Sequence, residues 1–244
     1  MTEFEEVCTF LDWDSEFFGC RIGKVNGGRL SPETGSKVLA WCDENRIDCL
    51  YFLAEMGQDT IQAAEQLGFS LVDTRVTLDY RSENLSAAPV NEERIRSWEA
   101  ADIEHLRKIA SESFYTRFHA DPRFPDDKCS ELYAIWITKS CHGFADQVYV
   151  FNDDDNLPMG FITCSLKGPK GQIGLFGVAE GARGQGIGGK LLSQSLNWFA
   201  SQGASTVEVV TQGRNIAGQR LYQKSGFRTR SVLLWYHHWS DERQ

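Results

Sequence analysis

The sequence predicts an α/β protein of the α+β kind, in which a domain with a mixed central sheet follows a smaller N-terminal α/β lobe. Three observations predict it. Stretches of helical and of strand periodicity alternate along nearly the whole chain, as in helices packed on a sheet. A polar stretch with one proline and little periodicity, Arg81–Glu93, interrupts the series and reads as a linker. Beyond it, a glycine-rich loop joins a strand to an amphipathic helix. The expected division is therefore 1–85 for the lobe and 86–244 for the larger domain.

Taken in order, Cys20–Val25 reads as a strand. Ser31-Pro32-Glu33 is a helix start, with serine as cap and proline in the first turn, and Val38, Leu39 and Cys42 supply an apolar face. Leu50–Ala54 is a short buried strand, Asp59 and Gln62 resemble a capping box for a helix that stops at Gly68, and Ser70–Tyr80 returns as a strand. Parallel strands with crossover helices are implied for this lobe. After the linker come a strand at Ile95–Trp98, a helix opened by Asp102 with Ile103, Leu106, Ile109 and Ala110 on one face, and a second helix carrying Leu132, Tyr133, Ile135 and Trp136. Gln147–Phe151 and Met159–Leu166 form a hairpin around Asp153–Asn156. The strand Gln172–Val178 precedes the glycine loop, Val207–Val210 is the next strand, and Val232–Trp239 the last, with His237 and His238 on opposite faces.

Composition narrows the function. A net charge of -9 with scattered Lys and Arg argues against nucleic acid as a partner. The acidic start, Met1–Glu6, is unlike a signal peptide, and no apolar run reaches the ~18 residues of a membrane span, so a soluble, cytoplasmic chain with no membrane partner is expected. Seven cysteines without a C-x-x-C pair indicate neither a disulfide framework nor a zinc site. The acidic hairpin turn lacks the glycine and distal glutamate of an EF-hand loop, so no metal is expected.

The loop carries the chemistry. Arg183, Gly184, Gln185, Gly186, Ile187, Gly188 and Gly189 run into a helix whose apolar residues are Ile187, Leu191, Leu192, Leu196 and Phe199. Backbone N–H groups and the positive helix end then converge on one point, suited to a phosphate or pyrophosphate. Gly184, Gly186 and Gly189 satisfy G-x-G-x-x-G, a weak pattern alone; the Walker pattern fails, and a capping turn remains the bland reading. The residues downstream decide among them. Arg183-x-x-Gly186-x-Gly188 followed by Asn215, Tyr222 and Gly226-Phe227 resembles the acetyl-CoA site of the GNAT (GCN5-related N-acetyltransferase) superfamily.

That resemblance implies acetyl-CoA as acetyl donor and a small amine as acceptor. The N–H groups from Gln185 to Gly189 would hold the pyrophosphate, with Arg183 at the rim, and Phe176, Gly177 and Val178 would offer open strand backbone to the pantetheine arm. Asn215 would fix the following helix and meet that arm, and Tyr222 would give a proton to the departing thiolate. No base stands out: Gln172–Val178 has no glutamate, Glu208 lies one strand further on, and His119 is an outside candidate.

A narrower resemblance covers most of the chain. Leu11–Gly19, Arg117-Phe118 with Tyr133-Ala134-x-Trp136-Ile137, Asn197-Trp198 and Thr211-Gln212 are similar to the dTDP-fucosamine acetyltransferases of enterobacterial common antigen synthesis. These act on the 4-amine of a dTDP-4-amino-4,6-dideoxyhexose, so the acceptor implied is a nucleotide sugar. Phe17, Phe18, Arg117, His119 and Arg123 are then the acceptor-binding candidates, the last three within the aromatic and charged stretch Phe114–Phe124. The alternatives are another amine (a polyamine, an amino acid or a protein terminus) or an acyl-CoA sensor without turnover. The last strand could pair across a homodimer. Glu65–Phe69 and Gln223–Phe227 share a helix-end, Gly-Phe, strand order, with Ala64 where Tyr222 stands, as if the lobe were a degenerate half copy.

Overall fold

A computed structural model describes residues 7–81, 83 and 92–240. The acidic start and most of the expected linker lie outside the described residues. In order, the elements are β1 (Cys8–Phe10), α1 (Asp12–Phe18), β2 (Ile22–Val25), α2 (Pro32–Asn45), β3 (Cys49–Glu55), α3 (Gln58–Gln66) and β4 (Ser70–Arg81). They continue with β5 (Ile95–Ser97), α4 (Ile103–Ser113), α5 (Asp126–Lys139), β6 (Gln147–Asn152), β7 (Pro158–Lys167), β8 (Lys170–Val178), α6 (Ile187–Ser201), β9 (Thr206–Gln212), α7 (Ile216–Lys224) and β10 (Arg228–Trp239). Among the described residues no helix is long and apolar enough to cross a membrane.

The described residues form two compact units that are not contiguous in sequence. The first holds the chain up to Arg75, Thr116–Phe124 and the chain from Val232 onward; the second holds the described part of Val76–Tyr115 and Pro125–Ser231. Whereas the expected boundary at 85/86 is a single cut, the chain passes between the units inside β4 and β10, and the segment after Tyr115 belongs to the first unit.

The first unit has a mixed sheet. β1 runs antiparallel to β2, β2 parallel to β3, and β3 antiparallel to the Leu233–Trp239 part of β10. Of these three pairs β2–β3 alone is parallel, because the neighbour of β3 arrives from the far end of the chain. α2 makes the parallel crossover. Its start is the expected one: Ser31 Oγ accepts from the Thr34 N–H and Thr34 Oγ1 accepts from the Ser31 N–H. α3 differs from expectation. It is capped by Gly57 with no side-chain bond, and Asp59 sits in the first turn, where its charge meets the helix dipole instead. Val38, Trp41, Leu50, Phe52, Ala54, Ala64, Phe69 and Tyr236 share one core.

In the second unit β5, β6, β7 and β8 are antiparallel neighbours and β8 is parallel to β9, so this sheet is mixed as well. α4 buries Leu106, Ile109 and Ala110, and α6 buries Ile187, Leu191, Leu192 and Phe199. Gly160 looks onto Leu191 and Ile187 of α6, whereas Gly177, opposite Phe161, looks onto Ile109 of α4. Because residues 160 and 161 point to opposite sides of β7, the two helices cover opposite faces.

The echo between the two Gly-Phe motifs extends to backbone geometry. Phe69 N–H donates to Ala64 O and Phe227 N–H to Tyr222 O, each at 3.0 Å, and Gly68 (φ 78) and Gly226 (φ 96) both take the left-handed conformation that ends the helix.

Candidate active site

The site begins with an interruption in the second unit's sheet. β8 and β9 pair only from Lys170–Thr206 to Ile173–Val209, although β8 continues to Val178 and β9 to Gln212. The cause is on the other edge of β8. Between the pairs Ile162–Phe176 and Cys164–Ile173, β8 uses one more residue than β7, a bulge at Gly174-Leu175 that bends the strand. The Leu175 N–H donates to Thr163 Oγ1 at 2.8 Å, and a Cβ on Gly174 would lie 2.8 Å from the same oxygen, so glycine there keeps the hydroxyl in place. Among the described residues Phe176, Gly177 and Val178 thus have β7 on one side and no strand partner on the other. An open edge of this kind can pair with the amides of an extended ligand.

The glycine loop follows directly. Gly184 and Gly186 both have φ 80, which favours glycine, and a Cβ at 184, 186 or 189 would meet nothing within 4 Å. Gly186 caps α6 without a side-chain bond, and Lys190 N–H donates to its carbonyl. Among the described residues no backbone acceptor is assigned to the N–H groups from Gly184 to Gly189. These are the orphan donors of a helix start, suited to an anion. Gln185 Nε2 donates to Gly181 O, bracing the turn, and Arg183 Nε donates to Val178 O at 3.1 Å, tying the loop to the strand end. Gly188 serves packing instead, because a Cβ there would press on Leu221 at 3.0 Å. Ile187 is buried and anchors the helix.

Asn215 caps α7. Its Oδ1 accepts from the Gly218 N–H at 3.0 Å and its Nδ2 donates to Thr211 Oγ1 at 2.9 Å, which ties the cap to β9. The amide occupies the space above Gly218, where a Cβ would lie 2.5 Å from Nδ2. Tyr222, on α7, is buried, with its ring 6.2 Å from Phe176 and 5.7 Å from Phe227. Its hydroxyl has no hydrogen-bond partner among the described residues, and burial pushes its pKa up. The strand, loop and α7 residues expected at the donor site therefore lie in one unit, and Tyr222 packs on the ring of the open strand.

No base emerges beside them. Glu208 pairs with Arg230 Nη2 at 2.5 Å, a structural ion pair. Ser113, the last residue of α4, has a buried hydroxyl without a partner among the described residues, 3.1 Å from where a Cβ on Gly177 would stand.

The expected acceptor residues all lie in the first unit, in varied settings. Phe18 is buried, with ring centroids 4.5 Å from Phe124 and 5.1 Å from Phe118, while Phe17 stacks on Trp13 at 5.1 Å. His119 Nδ1 receives the Thr116 N–H at 3.4 Å. Arg123 is exposed and lies 5.5 Å over the Trp239 ring. Arg117 is the most constrained. Its guanidinium carbon lies 4.0 Å from the Tyr51 and Phe118 ring centroids and 4.2 Å from that of Trp235, and its Nη1 is 2.8 Å from His237 Nε2. His237 Nδ1 is in turn 2.7 Å from Asp121 Oδ2, which also accepts from Trp239 Nε1 at 2.8 Å.

Sequence reasoning missed Asp121, Tyr51, Trp235 and Trp239, and read His237 only as a strand neighbour. One signal was available: positions 235, 237 and 239 share a face of the last strand.

Three comparisons bear on this arrangement. Residues 103–227 match the Acetyltransferase (GNAT) family. Over 231 residues the chain is 30% identical to the dTDP-fucosamine acetyltransferase of Escherichia coli O6:H1 (strain CFT073), covering 92% of this chain and 95% of that protein. Over 142 residues it is 26% identical to the spore coat polysaccharide biosynthesis protein SpsD of Bacillus subtilis (strain 168), covering 58% of this chain and 49% of that one. Among solved structures, a GCN5-related N-acetyltransferase from Sphaerobacter thermophilus aligns with a TM-score of 0.68 at 17% identity, over 95% of this chain and 76% of that one, a likeness of fold.

Proposed function

Because the chain belongs to the GNAT acetyltransferase family, and so is an acetyl-CoA-dependent N-acetyltransferase, we propose that its acceptor is the 4-amine of a dTDP-linked 4-amino-4,6-dideoxyhexose used in surface polysaccharide assembly. The observation that carries this reading is the reach of the 30% identity. It extends over 92% of the chain, well beyond the family's own match, and so takes in the first unit with Arg117 and its aromatic neighbours. A charged guanidinium among aromatic rings is the chemistry that a nucleoside diphosphate calls for.

The residues divide the work. The N–H groups from Gln185 to Gly189 receive the pyrophosphate of the donor, with Gly184 shaping the turn and Arg183 at its rim. Phe176, Gly177 and Val178 lay out its pantetheine arm against open backbone. Asn215 holds α7 in place, and Tyr222 lends its hydroxyl to the sulfur. Burial favours the protonated hydroxyl and makes it a weaker acid than a free phenol. Its part is a hydrogen bond to the developing thiolate, with the proton passing as the C–S bond breaks. The attacking amine loses its proton to water, since a 4-amino sugar is less basic than an alkylamine and positioning supplies much of the rate.

The test is coenzyme A release from acetyl-CoA with dTDP-4-amino-4,6-dideoxygalactose, its 4-epimer, spermidine and a peptide amine offered in parallel. Release with a sugar nucleotide alone is expected. Release with spermidine or the peptide alone would overturn the acceptor assignment and leave the N-acetyltransferase standing.

A further inference from the structure

The hydrogen-bonded chain Asp121–His237–Arg117 in the first unit has a direction. An arginine nitrogen can only donate, so His237 Nε2, 2.8 Å from Arg117 Nη1, must accept. The ring proton then resides on Nδ1 and is donated to Asp121 Oδ2 at 2.7 Å. His237 is therefore neutral, and the contact with Asp121 is a hydrogen bond rather than an ion pair. Asp121 is itself over-determined, receiving Trp239 Nε1–H on Oδ2 and the Arg123 N–H on Oδ1. Asp121 and His237 are both buried.

Among the described residues this arrangement holds a cation without a direct ion pair; the charge of Asp14 is coupled to it, in that burial raises the Asp14 carboxyl pKa and Arg117 pulls it back down. Arg117 lies over three rings at 4.0 to 4.2 Å, and His237 takes one of its N–H groups. Among the described residues no carboxylate forms an ion pair with it, and its other donors have no assigned acceptor. The Tyr51 hydroxyl, on a ring 4.9 Å from His237, is likewise buried and without a partner. A buried polar group left unsatisfied costs about 1–3 kcal/mol, so the Tyr51 hydroxyl, beside the half-buried and donor-rich Arg117 guanidinium, suits an acceptor-rich ligand.

We propose that Asp121 and His237 are positioning residues that fix Arg117 to receive the diphosphate of the acceptor. The inference rests on the sugar-nucleotide reading above and adds what sets the guanidinium. Asparagine at 121 can offer its amide N–H to His237 Nδ1, which moves the ring proton to Nε2 and sets two donors face to face at Arg117. Lysine at 117 keeps the charge but loses the planar fork and the ring stacking.

The experiment measures acetylation of dTDP-4-amino-4,6-dideoxygalactose by the full-length wild type, Asp121→Asn and Arg117→Lys, with dTDP and thymidine as competing ligands. For both variants the acceptor KM and the dTDP inhibition constant are expected to rise about tenfold or more, while thymidine inhibition, kcat and the acetyl-CoA KM stay within about threefold. Arg117→Lys leaves the Asp121–His237 bond in place, so it reads the anion contact even if Asp121→Asn folds poorly. A parallel weakening of dTDP and thymidine, or a rise in the acetyl-CoA KM, would mean a merely structural network and sink the proposal. Acceptor constants unchanged in both variants would sink it too, leaving the sugar-nucleotide assignment intact. A wild type that acetylates only amines lacking a phosphate, with a KM that neither variant moves, would sink both.

Discussion

Two helix ends, at Gly68 in the first unit and Gly226 in the second, are closed alike, with Phe69 N–H donating to Ala64 and Phe227 N–H to Tyr222. Around them the units diverge. Among the described residues the second unit leaves polar groups open: orphan N–H donors at the start of α6, a strand edge without a partner, and a tyrosine hydroxyl without one. The first unit links polar groups to one another along Asp121–His237–Arg117 and, among the described residues, leaves donors open at the arginine end of that chain and at the Tyr51 hydroxyl. The backbone motif is thus neutral toward function. What distinguishes its two copies is whether the position five residues before the phenylalanine carries a phenol or a methyl group, and whether a glycine loop lies in the same unit.

The sharpest way to test that contrast is to take the phenol away. Tyr222→Phe keeps the ring that packs on Phe176 and Phe227 and should lower kcat by about 10²–10³ in a coenzyme A release assay, with the acetyl-CoA KM little changed. A variant with wild-type kcat would remove Tyr222 from the chemistry and make the two helix ends equivalent.

Next in size is acid sensitivity, which belongs to the first unit. Burial is the main force holding the His237 pKa down to about 4 from 6.5; Arg117 adds to it and the Asp121 hydrogen bond opposes it. The folded protein keeps His237 neutral while the unfolded chain binds a proton below about 6.5. The associated stability is present above that pH and is lost as the pH falls through the window from about 6.5 to about 4, by up to ~3 kcal/mol. Asp121, whose pKa burial raises but whose hydrogen bonds from His237 and Trp239 hold it below the usual carboxylate value, adds a loss of the same sign at lower pH. Urea unfolding of wild type and His237→Gln from pH 7 to pH 4 should give a clearly flatter curve for the variant. Parallel curves would mean that His237 is not buried and neutral.

The glycines at the two helix ends allow a direct comparison. Gly68→Ala pays for its positive φ alone, about 1–2 kcal/mol, because its nearest neighbour, the His238 ring, is 3.6 Å from the added Cβ. Gly226→Ala meets the Tyr80 ring at 2.9 Å as well and should cost more. Equal losses in denaturant unfolding would show that Tyr80 yields freely. The smallest effect is expected from Gly218→Ala, which displaces the Asn215 amide and weakens the α7 cap by about 1 kcal/mol, read as a lowered Tm.

Much of the second unit was legible in the sequence because the elements of its candidate site follow in order along one stretch. Strand, glycine loop, helix, strand and capped helix follow one another from Gln172 to Phe227, and each announces itself by local chemistry: Gly186 by the turn it permits, Asn215 by the cap it makes, Gly226 by the helix it ends. The first unit offered no such thread. Arg117 and His237 lie 120 positions apart, and Asp121 and His237 116, so no window of sequence contains them together. The aromatic and charged stretch at Phe114–Phe124 could be singled out, but which of its charges would be buried could not, since burial depends on β3 and β10 arriving beside it. Arg123 and Arg117 look alike in the sequence, yet one is exposed and the other is held among three rings.

By itself the sequence determined the alternation of helices and strands, the caps and turns that end them, and the glycine loop with its unpaired N–H groups at the start of α6. These depend on backbone conformations and hydrogen bonds that close within a few residues. The tertiary structure alone decided that β8 would leave β9 after Ile173, that the chain would divide into units non-contiguous in sequence, and that His237 would be a neutral link between Asp121 and Arg117. Each of these depends on a register or a burial set by segments distant in the chain, and proton placement in a buried group follows from its partners rather than from its own chemistry.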